Sequence, residues 1–279
     1  MSLYYRHSGQ FSPPAALVAL LMGAAAASLL GALYAYIVLY LPLAGWITFV
    51  ISGGFGLCVG VAVAKACRIA KVRNQKVALG IALVAQLVGF YVSWGVWMYA
   101  LLVRAEVQDI SLATCLAPAT LWEAIKVING TGAWTVFGMQ PTGISLALLW
   151  LLEAAIVFGV CLLSVDLSDP FCEKCKIWCP SKPIATVDPM SPEELKTVLE
   201  GRQLERLTLI QTDETQERIV LDLASCARCG DLQTLSARHI TIKIKDGKRE
   251  DEINKVVSHL LLTPDEAVAL QNLHLLKAE

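Results

Sequence analysis

Apolar residues run almost unbroken through four stretches of the first 165 positions, at about 15–41, 43–64, 77–103 and 142–163. From 166 to 279 they break into short runs set among charges. Roughly 20 apolar residues rising 1.5 Å each cross the hydrocarbon core of a bilayer, so each stretch has the length of a transmembrane helix. Pro42 alone separates the first two, which predicts an antiparallel helical hairpin. The expected fold is an α-helical polytopic membrane bundle of four transmembrane helices, residues 1–165, followed by a small α+β domain, residues 166–279.

Inside the stretches, small residues recur every fourth position: Gly23, Ala27 and Gly31; Gly56, Gly60 and Ala64; Ala85, Gly89 and Ser93. Such stripes let two helix backbones approach closely, either within one bundle or between copies in a homo-oligomer. Polar groups are sparse. Glu153 is the one acid well inside a stretch, and Gln86 is the main polar companion in the third. An ionisable group at that depth must face the bundle interior, a partner or water, and Gln86 or Ser93 is its natural partner. Between the third and fourth stretches, the loop 104–141 contains an amphipathic helix over 119–127, a turn at Asn129-Gly130-Thr131-Gly132 and a strand-like or re-entrant piece over Trp134 to Phe137. Cys115 stands alone there and reads as a buried thiol, with an intermolecular disulfide as the alternative.

Beyond 166 the pattern shortens. Ser191-Pro192-Glu193-Glu194 is a capping box that starts a helix through Leu195, Val198 and Leu199, with Gly201 at its end. Arg218 to Ala224 reads as a strand. His239 to Lys245 alternates strictly, Asp246-Gly247 supplies a hairpin turn, and Val256 to Leu262 returns. Thr263-Pro264-Asp265-Glu266 caps a last helix.

Charge orients this layout. Of 23 Lys and Arg, eight precede Ser164; of 24 Asp and Glu, only four do, leaving the first part about +4 and the rest about −5. So acidic a tail excludes a nucleic-acid surface, which needs clustered positive charge to meet phosphates. The loop 65–76 carries five basic residues and no acid, so the positive-inside rule makes it cytoplasmic, together with the N-terminus and the whole tail, in an inner or plasma membrane. Tyr34, Tyr36, Tyr40 and Trp46, and Tyr91, Trp94, Trp97 and Tyr99, gather toward the opposite interface, as aromatic belts do. The first stretch runs on past Ala25-Ala26-Ala27, too long for the 7–15-residue apolar core of a cleaved signal.

The cysteines carry the chemistry. Cytosolic thiols stay reduced, so Cys172-x-x-Cys175 and Cys226-x-x-Cys229 favour metal over disulfide. Two such knuckles supply four thiolates to one tetrahedral ion, and the expected cofactor is a structural zinc. Gly230 permits the left-handed turn a knuckle requires, and Lys176 at the matching place makes the first knuckle the weaker half. Cys179 is a fifth candidate, as substitute ligand or free thiol; an iron–sulfur run would need tighter spacing. His239, His259 and His274 lie outside any ligand-spaced cluster. Only about eight residues part Cys172 from the last stretch, which places the metal near the membrane face.

The chain holds no H-E-x-x-H, no G-x-x-x-x-G-K-[ST] and no G-x-S-x-G. Four cysteines also close a zinc site that catalysis would need open. The function expected is an integral membrane adaptor or scaffold whose zinc-ribbon-like cytoplasmic domain binds a protein partner. Two alternatives stand beside it: a membrane thiol oxidoreductase using Cys172, Cys175 and Cys179, and a small channel or transporter subunit organised around Glu153.

Overall fold

A computed structural model describes residues 3–41, 46–132, 140–208, 210, 217–245 and 248–275. The chain divides into two compact units: residues 9–167, and residues 1–8 together with 168–279.

The first unit is helical. Helix α1 spans Pro13–Tyr40, α2 Trp46–Ile69, α3 Gln75–Arg104, α4 Leu112–Cys115, α5 Pro118–Thr131 and α6 Ile144–Leu163. Four of them, α1, α2, α3 and α6, are long and apolar enough to cross a membrane. Starts are set by local chemistry. Ser12 accepts from Ala15 N–H ahead of the Pro13-Pro14 pair, and Asn74 accepts from Lys76 and Val77 N–H, satisfying donors that have no partner within the helix. Helix α2 runs five residues beyond the expected 64, through Lys65 and Arg68. A cation in the last turn suits the negative end of the helix dipole.

The small-residue stripes are used inside the chain. A Cβ added at Gly31 would lie 2.2 Å from the Gly89 carbonyl oxygen of α3, and one at Gly60 would lie 2.4 Å from the Cys161 carbonyl oxygen of α6. Helix α1 thus packs backbone to backbone on α3, and α2 on α6. These contacts need no hydrophobic driving force, because dispersion between closely fitted surfaces suffices.

Helix α5 is longer than the amphipathic segment expected at 119–127. Gly130 does not break it. It ends at Gly132, whose φ of +79° is left-handed, and Asn129 secures that end by bonding Gly143 through both backbone and side chain. The turn read at 129–132 is therefore a correction: its first three residues are helical. Cys115 is 2% exposed, buried with Met98 and Leu121. Trp134 to Phe137, like Pro42, lie outside the described residues.

The second unit is an antiparallel sheet with two flanking helices. After the two-residue strands β1 (Phe171–Cys172) and β2 (Ile177–Trp178) come β3 (Lys182–Val187), helix α7 (Pro192–Glu200), a 3₁₀ turn at Leu204–Arg206, β4 (Arg218–Ser225), β5 (Gln233–Lys245), β6 (Lys248–Leu261) and helix α8 (Pro264–Leu275). The four long strands run in the order β3-β4-β5-β6. Both helix caps form as their sequences predict: Ser191 Oγ accepts from Glu194 N–H, and Thr263 and Glu266 cap each other reciprocally. Leu195, Val198 and Leu199 of α7 meet Ile219, Leu221, Leu235, Val257 and Leu260 of the sheet in one core.

Strand β5 begins six residues before the expected start, and β6 begins eight before. The added part of β6 is mostly polar, so pairing with β5, not alternation, makes it a strand; Arg238 on β5 reaches Asp222 on β4 with two hydrogen bonds of 2.5 and 2.7 Å. The Asp246-Gly247 turn lies outside the described residues. The N-terminal residues add to the far edge: Tyr4 bridges Leu260, Tyr5 N–H donates to His259 O, and Leu261 N–H donates to Leu3 O.

Candidate metal centre

Two turns of the second unit present the cysteines. The hairpin β1–β2 pairs Phe171 with Trp178 and Cys172 with Ile177, so its tight turn holds Cys172 and Cys175. Strands β4 and β5 are joined by the turn holding Cys226 and Cys229, closed by Cys226 N–H donating to Leu232 O at 3.0 Å.

The two knuckles are built alike. Lys176 N–H donates to Cys172 O at 2.7 Å, and Gly230 N–H donates to Cys226 O at 2.9 Å. The donor residue is left-handed in both, with φ of 54° at Lys176 and 67° at Gly230. The first knuckle is thus not looser for lacking glycine: its geometry is the same, held at a backbone cost of about 1–2 kcal/mol for an L-residue in that region.

The four sulfurs of Cys172, Cys175, Cys226 and Cys229 all lie within 4.8 Å of one another. Two of the edges are 3.6 Å, from Cys172 to Cys229, and 3.5 Å, from Cys229 to Cys226. Metal–sulfur bonds of about 2.3 Å in a tetrahedron require edges of roughly 3.8 Å. The donor set therefore fits a tetrahedral thiophilic ion. Cys172 and Cys226 are buried, and Cys175 and Cys229 are partly so. Cys179 is 1% exposed and packs beside Cys172 and Cys226. Its backbone N–H donates to Pro170 O at 2.7 Å, and it stands outside the group of four.

The thiols shape one another's protonation. Burial pushes Cys172 up; hydrogen bonding to Cys229, then burial, pushes Cys175 up to about 12; burial and the neighbouring sulfurs push Cys179 to about 12. At Cys226 burial also opposes the thiolate, but backbone N–H groups of Cys229 and Arg228 and the thiols of Cys172 and Cys229 outweigh it, lowering the group to about 6. One buried thiolate collects the donors while its neighbours keep their protons, which is how a coupled set behaves before a cation replaces those protons. Lys174 does not supply the free positive charge a redox thiolate would use. Its Nζ lies 2.5 Å from Asp231, joining the two knuckles across an exposed surface where such a pair adds little stability.

Several supporting residues left no sequence signal. Tyr5 Oη donates to Phe171 O at 3.2 Å and accepts from Phe171 N–H at 3.0 Å, clamping the strand that leads into Cys172. Phe171 packs edge-on against Trp178 at 5.0 Å, and Trp178 meets the His7 ring at 5.9 Å. Among the other histidines, His239 lies 2.8 Å from Glu217 on the sheet and His259 meets Ser236 at 3.4 Å; neither joins the cluster. The His274 side chain lies outside the described residues.

In the helical unit, Glu153 does not pair with Gln86 or Ser93. Tyr34 Oη donates to the Glu153 carboxylate and lies 2.8 Å from Ser52 Oγ, which in turn donates to Thr48 O at 2.9 Å. Ser93 Oγ donates to Phe90 O. Gln86 is fully buried, and its amide has no partner among the described residues. Tyr34, grouped by its sequence with the interfacial aromatics, is buried in the bundle and is the hydrogen-bond donor that makes a buried carboxyl tolerable.

Fold and site together define a class: four membrane-length helices joined to a small β-domain that gathers four cysteines into a candidate metal site. No protein-family model, curated protein or solved structure matches the chain.

Proposed function

We propose that this protein is a membrane-anchored adaptor: four helices cross an inner or plasma membrane, and a zinc-stapled, zinc-ribbon-like domain on the cytoplasmic side binds a protein partner. The observation that carries this reading is the convergence of four sulfurs from two matched knuckles, a closed donor set that staples β1–β2 to the β4–β5 turn. Zinc is the preferred ion because all four donors are thiols and zinc takes a tetrahedral sulfur shell without redox change. Such a site stabilises a fold whose core is small for its surface.

The membrane half rests on composition and surface. Leu29, Leu148, Leu151, Ile144 and Leu163 are 60–88% exposed on the candidate spans, a display that suits lipid and not water. Sidedness rests on the five basic residues of the 65–76 loop. The N-terminal residues and the tail fold into one unit, which supports both ends of the four spans opening on one side.

Metal analysis of purified full-length protein tests the adaptor reading. One zinc per chain, lost on mutation of Cys226 or Cys229 together with protease resistance of the tail, supports it. Metal-free protein whose Cys172, Cys175 and Cys179 cycle between thiol and disulfide instead establishes the oxidoreductase. Cross-linking from the tail in membranes then identifies the partner.

A further inference from the structure

Glu153 lies about nine residues, or roughly 14 Å, along α6 from its first residue, near the middle of a helix about 30 Å long. Its carboxylate borders a cavity of about 50 Å³ between α1, α3, α5 and α6. Half of the lining side chains are aromatic: Tyr34, Phe90, Trp94, Trp97 and Trp150. The Trp94 ring stands 83° to Trp150 at 5.2 Å and 69° to Trp97 at 6.2 Å, so the three indoles form the walls of a corner. Tyr34, which donates to Glu153, is itself held flat against Phe55 at 4.8 Å.

Among the described residues Glu153 has no cationic partner. Lys126 is engaged with Glu123, and the Arg104 guanidinium sits 5.8 Å from the centre of the Tyr40 ring. A carboxyl group that shares its cavity with five aromatic rings brings together the two elements that recognise an organic ammonium, an acidic group and ring quadrupoles. A hard cation is the poorer match, since sodium or calcium needs several oxygens and this cavity offers one carboxylate and hydroxyls. A neutral apolar occupant would make no use of the Glu153 carboxyl, whose hydrogen-bond donor is Tyr34.

We propose that this cavity is a binding site for a small organic ammonium cation, with Glu153 as its counter-ion and Trp94, Trp97 and Trp150 as its cage. The proposal is independent of the adaptor reading and of the metal centre.

Full-length protein in lipid nanodiscs is titrated with choline chloride, with sodium chloride at matched ionic strength as control, following tryptophan fluorescence. The same titration with 3,3-dimethylbutan-1-ol, the neutral isostere of choline, separates charge recognition from cavity filling. The expected result is a saturable response to choline, at least tenfold tighter than to the alcohol, weakened tenfold or more in Glu153→Gln and in Trp94→Leu. Equal affinity for choline and the alcohol overturns the proposal, as does the absence of a saturable choline response. Folded Glu153→Gln that keeps wild-type choline affinity overturns it too. Where that variant fails to fold, the wild-type comparison alone decides.

Discussion

Exchanging the residues that follow the two knuckles should move zinc affinity in opposite directions. Lys176 and Gly230 occupy the same left-handed place, at φ of 54° and 67°. An L-residue there costs about 1–2 kcal/mol relative to glycine. Glycine gives back about 0.4–1 kcal/mol through the greater freedom of the unfolded chain. The net is about 1 kcal/mol in favour of glycine, which is roughly fivefold in an equilibrium constant. A Cβ at Gly230 would meet nothing closer than the Gln233 amide at 3.8 Å, so Gly230→Ala perturbs the backbone alone. Lys176 is exposed and makes no side-chain hydrogen bond or ion pair among the described residues, so Lys176→Gly tests mainly the turn. Because metal binding and knuckle folding are one equilibrium, the assay is competition for zinc against a chelating indicator at fixed pH. Lys176→Gly is expected to bind about fivefold tighter than wild type and Gly230→Ala about fivefold weaker. If Lys176→Gly binds more weakly, or both variants shift the same way, the matched-knuckle geometry is wrong.

Zinc affinity should also rise with pH. Cys172 and Cys175 are held above the usual thiol range, Cys175 at about 12, so they carry protons at neutral pH that the ion must displace. Each proton released adds about tenfold per pH unit; an affinity that is flat between pH 6 and 8 refutes thiolate ligation. In the helical unit, Gly60→Leu should force α2 from α6 and cost about 1–3 kcal/mol, since even a Cβ there falls 2.4 Å from the Cys161 carbonyl; an unchanged melting midpoint in detergent counts against this packing. Tyr5→Phe removes both hydrogen bonds to Phe171, whose side chain is 1% exposed, and should lower the stability of the tail domain by about 1–3 kcal/mol in denaturant titration of the full-length protein. A loss within error would mean that Tyr5 does not clamp the first knuckle.

Local structure is legible in the sequence where one segment carries its own signal. The capping residues Ser191 and Thr263 start α7 and α8 because their side chains answer backbone donors three residues on, a rule internal to four residues. Helix α5 runs past its expected end because Gly130 is only a weak helix breaker, whereas the left-handed backbone at Gly132 is a true stop. The early start of β6 has the opposite cause: Lys248 to Lys255 is mostly polar with no period to read, and it is a strand because it lies beside β5. In β5, Thr234-Leu235-Ser236-Ala237-Arg238 does alternate, a local signal for its longer extent.

The sequence by itself determined the four long apolar helices, the two C-x-x-C spacings and the capped helices of the tail, because hydrocarbon length, ligand spacing and capping depend on residues close along the chain. Only the tertiary structure decided which groups meet across it. It matched Lys176 to Gly230 as equivalent turns, set Cys179 beside the four-cysteine group and not within it, and gave Glu153 a donor in Tyr34, 119 residues away. It also brought Leu3, Tyr4 and Tyr5 to the edge of the sheet of the tail. Those outcomes depend on packing and on the pairing of distant backbones, where a polar group takes whichever partner the fold brings within reach, and no local pattern records which one that is.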